Sequence, residues 1–113
     1  MHAVGTNIVW TTTALGYPVI RLGRIEQIIL AGETLDTTDL WRKGEVRGRT
    51  DRVRESEDRY AVIVYDEASE FSIASGYELR MDKPRYVIVI DASYLEKRAV
   101  VLGDAEEQTD GEE

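Results

Sequence analysis

The chain has 113 residues, 14 of them basic and 22 acidic, giving a net charge of −8, and it contains no cysteine and one histidine. This length predicts a single domain that can bury a core, and the lack of cysteine excludes disulfides, thiol nucleophiles and thiolate zinc sites. No apolar run approaches the roughly 20 residues of a membrane-spanning helix, so we expect no membrane segment.

The first part of the chain predicts two strands joined by a turn. Residues 7–13 alternate between two faces, which is typical of a strand. Residues 15–18 (LGYP) have the composition of a turn. The apolar residues 19–30 fit a helix face as well as a strand. We favour a strand, because β-branched residues dominate and Gly23 and Gly32 bracket a segment of strand length.

The next part of the chain is polar. Residues 37–44 predict a short helical turn, with Thr37 or Thr38 as its cap and Gly44 at its end. Residues 45–58 contain almost no aliphatic side chains. They are compatible with a pair of exposed strands on a long hairpin or with a mobile loop.

Residues 59–81 predict three strands separated by short breaks. Residues 60–65 are β-branched and aromatic, apart from one alanine, and residues 70–74 alternate with a period of two. The polar residues 66–69 between them suggest a hairpin turn. Residues 77–81 alternate again after Ser75 and Gly76.

The last part of the chain predicts a buried strand, a short strand and an acidic tail. Residues 85–91 are apolar on both faces, as in a strand covered on two sides. Residues 93–97 fit one helical turn or a hairpin loop, and residues 98–102 form a last strand. Residues 104–113 contain six acids and no base, so we expect a disordered tail.

These elements predict a mainly β domain over residues 1–103, arranged as a small antiparallel barrel or a compact curled sheet. The order of GRIEQII at 23–29, YAVIVYD at 60–66, FSI at 71–73 and YELR at 77–80 resembles SH3-like barrels of the Tudor and KOW kind. The resemblance implies a binding or assembly module rather than an enzyme. Residues 33–58 would then form an oversized loop, and the strands within 85–102 would be additional.

The groups that most enzymes use are scarce in this chain. The single histidine is His2, near the start of the chain, and no glycine motif fits a phosphate-binding loop. Asp66, Glu67 and Glu70 cluster in one turn and Asp91 ends a strand, which would suit a hard cation or an acid–base pair. We favour a solvated turn, and we predict no catalytic residue, metal site or cofactor.

The basic segment, residues 42–54, contains six bases and two acids. Arg47, Arg49, Arg52 and Arg54 recur at two-residue spacings and could contact successive phosphates of a nucleic acid. The alternative is a solvated Arg-rich hairpin in which nearby acids pair with the arginines. We favour the alternative, because a protein with a net charge of −8 attracts phosphate poorly.

Protein contact is therefore the leading functional hypothesis. Residues 9–13 and 99–102 are candidate edge strands without the charges that usually protect an edge, which puts Val9, Thr11 and Val100 at an interface. Trp41 and Arg42 form a pair typical of interface anchors, although Trp41 could instead cover an open end of the barrel.

We expect a non-enzymatic adaptor, assembly or regulatory subunit that binds a protein partner or self-associates. Nucleic-acid binding is the second hypothesis, and no membrane is involved. The sequence begins without the basic and apolar regions of a signal peptide, so we expect a cytoplasmic protein, and a virion-associated location is also compatible with it.

Overall fold

A computed structural model describes residues 1–103, and the predicted acidic tail at 104–113 lies outside the described residues. The described part is mainly β. The six strands are β1 (Asn7–Ala14), β2 (Tyr17–Ile29), β3 (Val46–Gly48), β4 (Arg59–Ser69), β5 (Tyr86–Asp91) and β6 (Val100–Gly103). The three short helices are α1 (Thr38–Trp41), α2 (Glu70–Ala74) and α3 (Ala92–Arg98).

All six strands belong to one mixed sheet with the order β3-β5-β4-β2-β1-β6. Four of the pairings are antiparallel, but β3 runs parallel to β5. The prediction of an antiparallel sheet is therefore wrong for this pair. The sheet is also open, because β3 and β6 are its two end strands and do not pair with each other. A closed barrel would have joined them.

The hairpin of β1 and β2 is tighter than the predicted turn. Only Leu15 and Gly16 connect the two strands, and both have positive φ angles, 52° and 82°. Two-residue hairpin loops favour such angles because their twist matches that of the strands. The predicted strand at 19–30 is confirmed. Gly23 lies at an irregular register of β2 and β4, and a Cβ there would be 2.6 Å from the carbonyl oxygen of Ile63.

The turn predicted at 66–69 and the strands predicted at 70–74 and 77–81 are wrong. β4 continues to Ser69, and residues 70–74 form α2 rather than a strand. The Ser69 hydroxyl accepts a hydrogen bond of 3.0 Å from the Ser72 backbone N–H, which caps this helix. Residues 77–81 contain no regular secondary structure. Five alternating residues fit one helical turn and a short strand equally well, and here the serine cap favours the helix.

The strand predicted at 85–91 is confirmed as β5. Two core clusters explain why it is apolar on both faces. Tyr86 and Ile90 belong to a cluster on one face of the sheet, whereas Val87 and Val89 belong to a cluster on the other. Leu95 of α3 is part of the first cluster. Leu35 and Leu40, before and within α1, are part of the second. Both faces of the central sheet are therefore covered.

The polar segment from 45 to 58 is neither an isolated hairpin nor an unattached loop. It contains β3, which pairs with β5, and an isolated bridge joins Val53 to Thr34. The helical turn at 37–44 is confirmed as α1. Thr37 is its N-cap residue, as predicted, but the Thr37 side chain makes no capping hydrogen bond. The Asp36 carboxylate instead accepts a hydrogen bond of 2.9 Å from the Thr38 backbone N–H.

Candidate interaction surfaces

The β6 edge is the outer side of the last strand of the sheet. β6 pairs on its inner side with residues Asn7, Ile8 and Val9 of β1, and no strand within residues 1–103 pairs with its outer side. Its side chains are apolar and exposed: Val100 by 61%, Val101 by 47% and Leu102 by 52%. An unpaired row of backbone donors and acceptors flanked by apolar side chains can accept another strand.

β3, the strand at the opposite end of the sheet, is protected in the ways that β6 is not. It is three residues long and has Arg47 at its centre, with Glu45 and Arg49 close on either side. The Glu45 carboxylate accepts a hydrogen bond of 2.9 Å from Arg47 Nε. Short length and charged side chains discourage the pairing of an exposed edge with another chain.

Part of the predicted edge on β1 is covered. Val9 pairs with Val100 of β6 on one side and with Leu22 of β2 on the other. Thr11 is exposed and pairs with Ile20 on the β2 side only. Val9 therefore lies inside the sheet, whereas Thr11 and Val100 lie along its outer boundary.

Trp41 and Arg42 lie on the surface at the end of α1. Trp41 is 54% exposed, and the neighbouring Leu40 is the residue of α1 that enters the core. Trp41 therefore keeps about half of its surface exposed and is not one of the core residues. The Arg42 guanidinium lies 3.3 Å from the Asp39 carboxylate, an exposed pair that adds little to stability.

The arginines of the basic segment have acidic neighbours in most cases. Arg47 pairs with Glu45, and its guanidinium lies 4.1 Å from the centre of the Tyr86 ring. Arg49 lies 3.8 Å from the Asp91 carboxylate. Arg54 lies near two carboxylates, those of Asp51 and Asp91. Such arginine–carboxylate pairs are what we expected of an Arg-rich segment that does not bind nucleic acid.

Arg52 is exposed on the same segment. Its backbone carbonyl accepts a hydrogen bond of 2.6 Å from the Leu35 N–H, and its charge contributes to lowering the pKa of Asp36, after the larger effect of the Thr38 hydrogen bonds. Arg52 thus joins the basic segment to the loop before α1.

Arg59, which sequence analysis did not single out, fixes the course of the basic segment. Its side chain is fully buried, and its Nη1 donates hydrogen bonds of 2.7 Å to the backbone carbonyls of Arg49 and Asp51. Nε and Nη2 have no hydrogen-bond partner within residues 1–103. The burial of Arg59 gives no signal in sequence, because its acceptors are backbone carbonyls, which every residue carries.

Asp66 is a structural carboxylate rather than part of a solvated turn. It is 7% exposed and accepts hydrogen bonds from the Tyr77 hydroxyl (2.6 Å), the Arg80 N–H (3.0 Å), the Glu67 N–H (2.8 Å) and Arg85 Nη1 (3.3 Å). Burial alone would raise its pKa, but these donors together lower the pKa of Asp66 below its ordinary value. The predicted solvated turn is therefore wrong at this residue.

A cavity of about 240 Å³ lies beside the sheet. Trp10 of β1, Ile88 and Ile90 of β5 and Tyr94 of α3 contribute its apolar wall, and Arg21, Arg49 and Asp91 contribute charge. Arg21 lies 3.5 Å from Glu67, and Arg49 lies near Asp91. The cations are thus already paired, and the cavity presents little net charge to a ligand.

A second exposed apolar surface lies at the tip of the β1–β2 hairpin, beside α2. Leu15 is 97% exposed, Phe71 81% and Tyr17 70%. Tyr17 and Phe71 line one shallow depression there. Leu15 also adopts a positive φ, which costs an L-residue other than Asn or Asp about 1–2 kcal/mol, because its Cβ comes too close to the following carbonyl oxygen.

Comparison of the chain with protein-family models, with curated proteins and with solved structures gives no match. Within the described ranges, none of the helices is long and apolar enough to cross a membrane. In that same part of the chain, no three His, Asp or Glu side chains are grouped so as to hold a metal ion.

Proposed function

We propose that this protein is a non-enzymatic interaction module, acting as an adaptor, assembly or regulatory subunit, and that a protein segment binds it by adding a strand to the β6 edge. The observation that carries the proposal is the outer side of Val100, Val101 and Leu102, which is uncharged and is not paired with any strand of residues 1–103. In strand addition, main-chain hydrogen bonds supply affinity and alternating side chains supply specificity.

The difference between the two ends of the sheet supports this proposal. Proteins usually protect an exposed edge with charges, short length or a covering segment. β3 has the first two protections, whereas β6 has no charged residue between Ala99 and Gly103. An edge left open at one end only is expected where another protein binds.

The polar chemistry of the domain supports a non-enzymatic role. Asp66, the most buried carboxylate of the predicted acidic cluster, directs both oxygens at four structural donors. Arg59 is committed to holding the loop at 49–51. The resemblance to SH3-like barrels remains a prediction from sequence. If it holds, the module is a curled sheet and not a closed barrel.

A charged substitution at the edge tests the proposal. Val101→Lys should remove binding of a protein partner, because a lysine on an edge strand opposes the addition of another strand. Val53→Lys is the matched control, since Val53 is exposed to a similar extent, 41% against 47%, and lies outside β6. Partners retained by the wild type and Val53→Lys but lost with Val101→Lys would be identified by mass spectrometry.

Each such partner would then be purified and titrated against the three proteins by calorimetry. The proposal is supported if binding to purified protein weakens with Val101→Lys alone. It is overturned if every partner binds Val101→Lys as tightly as it binds the wild type. Circular dichroism of each variant would show that the fold is intact.

Nucleic-acid binding remains the second candidate. It is favoured by the exposure of Arg47, Arg49 and Arg52 on one short segment, and opposed by the acidic partners of Arg47 and Arg49. A salt titration with generic DNA and RNA decides between the two. The second candidate is favoured if binding falls steeply with salt and is lost when four arginines are changed to alanine: Arg47, Arg49, Arg52 and Arg54.

A further inference from the structure

We infer that the cavity between the sheet and α3 binds a small aromatic carboxylate. The inference goes beyond the proposed function, because it concerns a small molecule and a surface other than the β6 edge. Three features of the cavity carry it: the volume, the apolar side chains of the wall, and the two arginines that line it.

The cavity lies on the concave side of the sheet. β2 and β4 separate β1 from β5 in the strand order, so about 14 Å would lie between these two strands in a flat sheet. Trp10 of β1 and Ile88 of β5 nevertheless line the same cavity, and Tyr94 of α3 lines it as well. The sheet therefore curls around this space, and concave surfaces of this kind are where small-molecule sites occur.

The volume of the cavity limits the size of the ligand. It is about 240 Å³, whereas an apolar protein cavity of roughly 150 Å³ binds benzene. Pockets for drug-sized ligands have volumes of roughly 300–1,000 Å³. A benzene ring with one short polar substituent therefore fits within the cavity, and a nucleotide or a peptide segment does not.

The apolar wall suits a flat ring. Trp10 and Ile90 belong to one core cluster, and Ile88 and Tyr94 pack against that cluster. Packing therefore holds the wall in place before a ligand binds. Trp10 and Tyr94 offer aromatic surfaces on which a ring can stack or pack edge to face, which adds to the free energy of burying it.

The two arginines of the wall have acidic neighbours, but both pairs are long. Arg21 Nε lies 3.5 Å from the Glu67 carboxylate, and Arg49 Nε lies 3.8 Å from the Asp91 carboxylate. A strong charge-assisted hydrogen bond measures roughly 2.7–2.9 Å. Within residues 1–103, the terminal nitrogens of these two guanidiniums form no hydrogen bond. Both arginines therefore keep the pair of donors that binds a carboxylate in a bidentate arrangement.

Arg21 is the better placed of the two arginines. Its side chain is 16% exposed, whereas that of Arg49 is 61% exposed. An ion pair that is largely buried is screened less by water and salt than an exposed one. We therefore assign the main contact with the carboxylate to Arg21 and a supporting contact to Arg49.

The charges of the wall favour a single carboxylate over other small groups. Two cations, Arg21 and Arg49, and one anion, Asp91, line the cavity, so an amine would meet more positive than negative charge. A neutral ring would remove water from the arginines without giving them an acceptor, which costs free energy. Inorganic phosphate would leave the apolar wall uncovered.

Titration of the ¹⁵N-labelled protein with benzoate and with phenylacetate, followed by nuclear magnetic resonance, tests the inference. The chain contains two tryptophans, Trp10 on the cavity wall and Trp41 on the surface, and Trp41→Phe assigns their indole N–H signals. The Trp10 signal should shift with a Kd between about 10 µM and 1 mM, and the Trp41 signal should not. Benzamide, which has the same ring without the charge, should bind about tenfold more weakly or worse.

Substitutions in β2 test the role of Arg21. Arg21→Gln should weaken benzoate binding about tenfold or more, and Arg21→Lys should have a smaller effect, because lysine keeps the charge but lacks the paired donors. Arg24→Gln is the matched control and should bind benzoate as the wild type does. Arg24 lies on the same strand, is half-buried like Arg21, and contacts the Tyr65 ring.

Three results would each overturn the inference. The first is that neither carboxylate shifts the Trp10 signal at about 10 mM, or that the Trp41 signal shifts instead. The second is that benzamide binds as tightly as benzoate, a comparison that needs only the wild type. The third is that Arg21→Gln, folded by circular dichroism, binds benzoate as tightly as Arg24→Gln. None of these results bears on strand addition at the β6 edge.

Discussion

Replacing Asp66 by asparagine should destabilise the domain strongly, although it only replaces one carboxylate oxygen by an NH₂ group. Asp66 accepts two hydrogen bonds at each carboxylate oxygen. The amide keeps one oxygen and turns an NH₂ group toward the other pair of donors. Two bonds to a charged acceptor are lost, each contributing roughly 1.5 kcal/mol, so we expect a loss of about 3 kcal/mol. For a domain of this size that is a fall in Tm of roughly 10–20 °C.

The pH dependence of this effect has a definite sign. The folded-state pKa of Asp66 is lowered from its ordinary value of 3.8, so its contribution to stability is present above that value and is lost as pH falls through the lowered pKa. Wild-type stability should therefore fall more steeply than that of Asp66→Asn below about pH 4, and the two curves should converge in acid.

Urea denaturation followed by circular dichroism, repeated across pH, measures both effects. Asp82→Asn is the control, because Asp82 is exposed and the substitution makes the same change in net charge. The reasoning is refuted if Asp66→Asn and Asp82→Asn differ by less than about 0.5 kcal/mol, the usual range of surface substitutions, or if their difference does not depend on pH.

Four further substitutions test other parts of the fold. Leu15→Asn should stabilise the domain by about 1 kcal/mol, because asparagine tolerates the positive φ of this exposed turn; an unchanged or lower Tm would contradict it. Gly23→Ala should lower the free energy of unfolding by roughly 1–3 kcal/mol, because its Cβ would lie 2.6 Å from the Ile63 carbonyl oxygen. An unchanged denaturation midpoint would contradict this prediction. Tyr86→Phe should be neutral or stabilising, since the buried Tyr86 hydroxyl has no hydrogen-bond partner within residues 1–103. Tyr60→Phe should cost about 1–2 kcal/mol, because the Tyr60 hydroxyl donates to Glu96 and accepts from the His2 N–H, and equal effects of the two changes would contradict this distinction. Burial raises the pKa of both tyrosines to about 12, so they ionise more readily in the unfolded chain, and the folded state should lose stability as pH rises from 10 to 12. Tyrosinate absorbance would follow this ionisation.

The sequence by itself determined which long segments are extended. β1, β2, β4 and β5 are rich in β-branched and aromatic residues at spacings that bury one or both faces, and such patterns act locally. It did not determine the structure of residues 66–81. There, the outcome depends on donors to Asp66 that include Tyr77, Arg80 and Arg85, which lie 11 to 19 positions further along the chain.

Only the tertiary structure decided which edges are open. Val9 and Val100 look alike in sequence as members of uncharged strands, yet Val9 is enclosed by β2 and β6 whereas Val100 faces outward. The burial of Arg59 was decided in the same way. An edge is a property of strand order, and strand order depends on contacts between distant segments that no local pattern records.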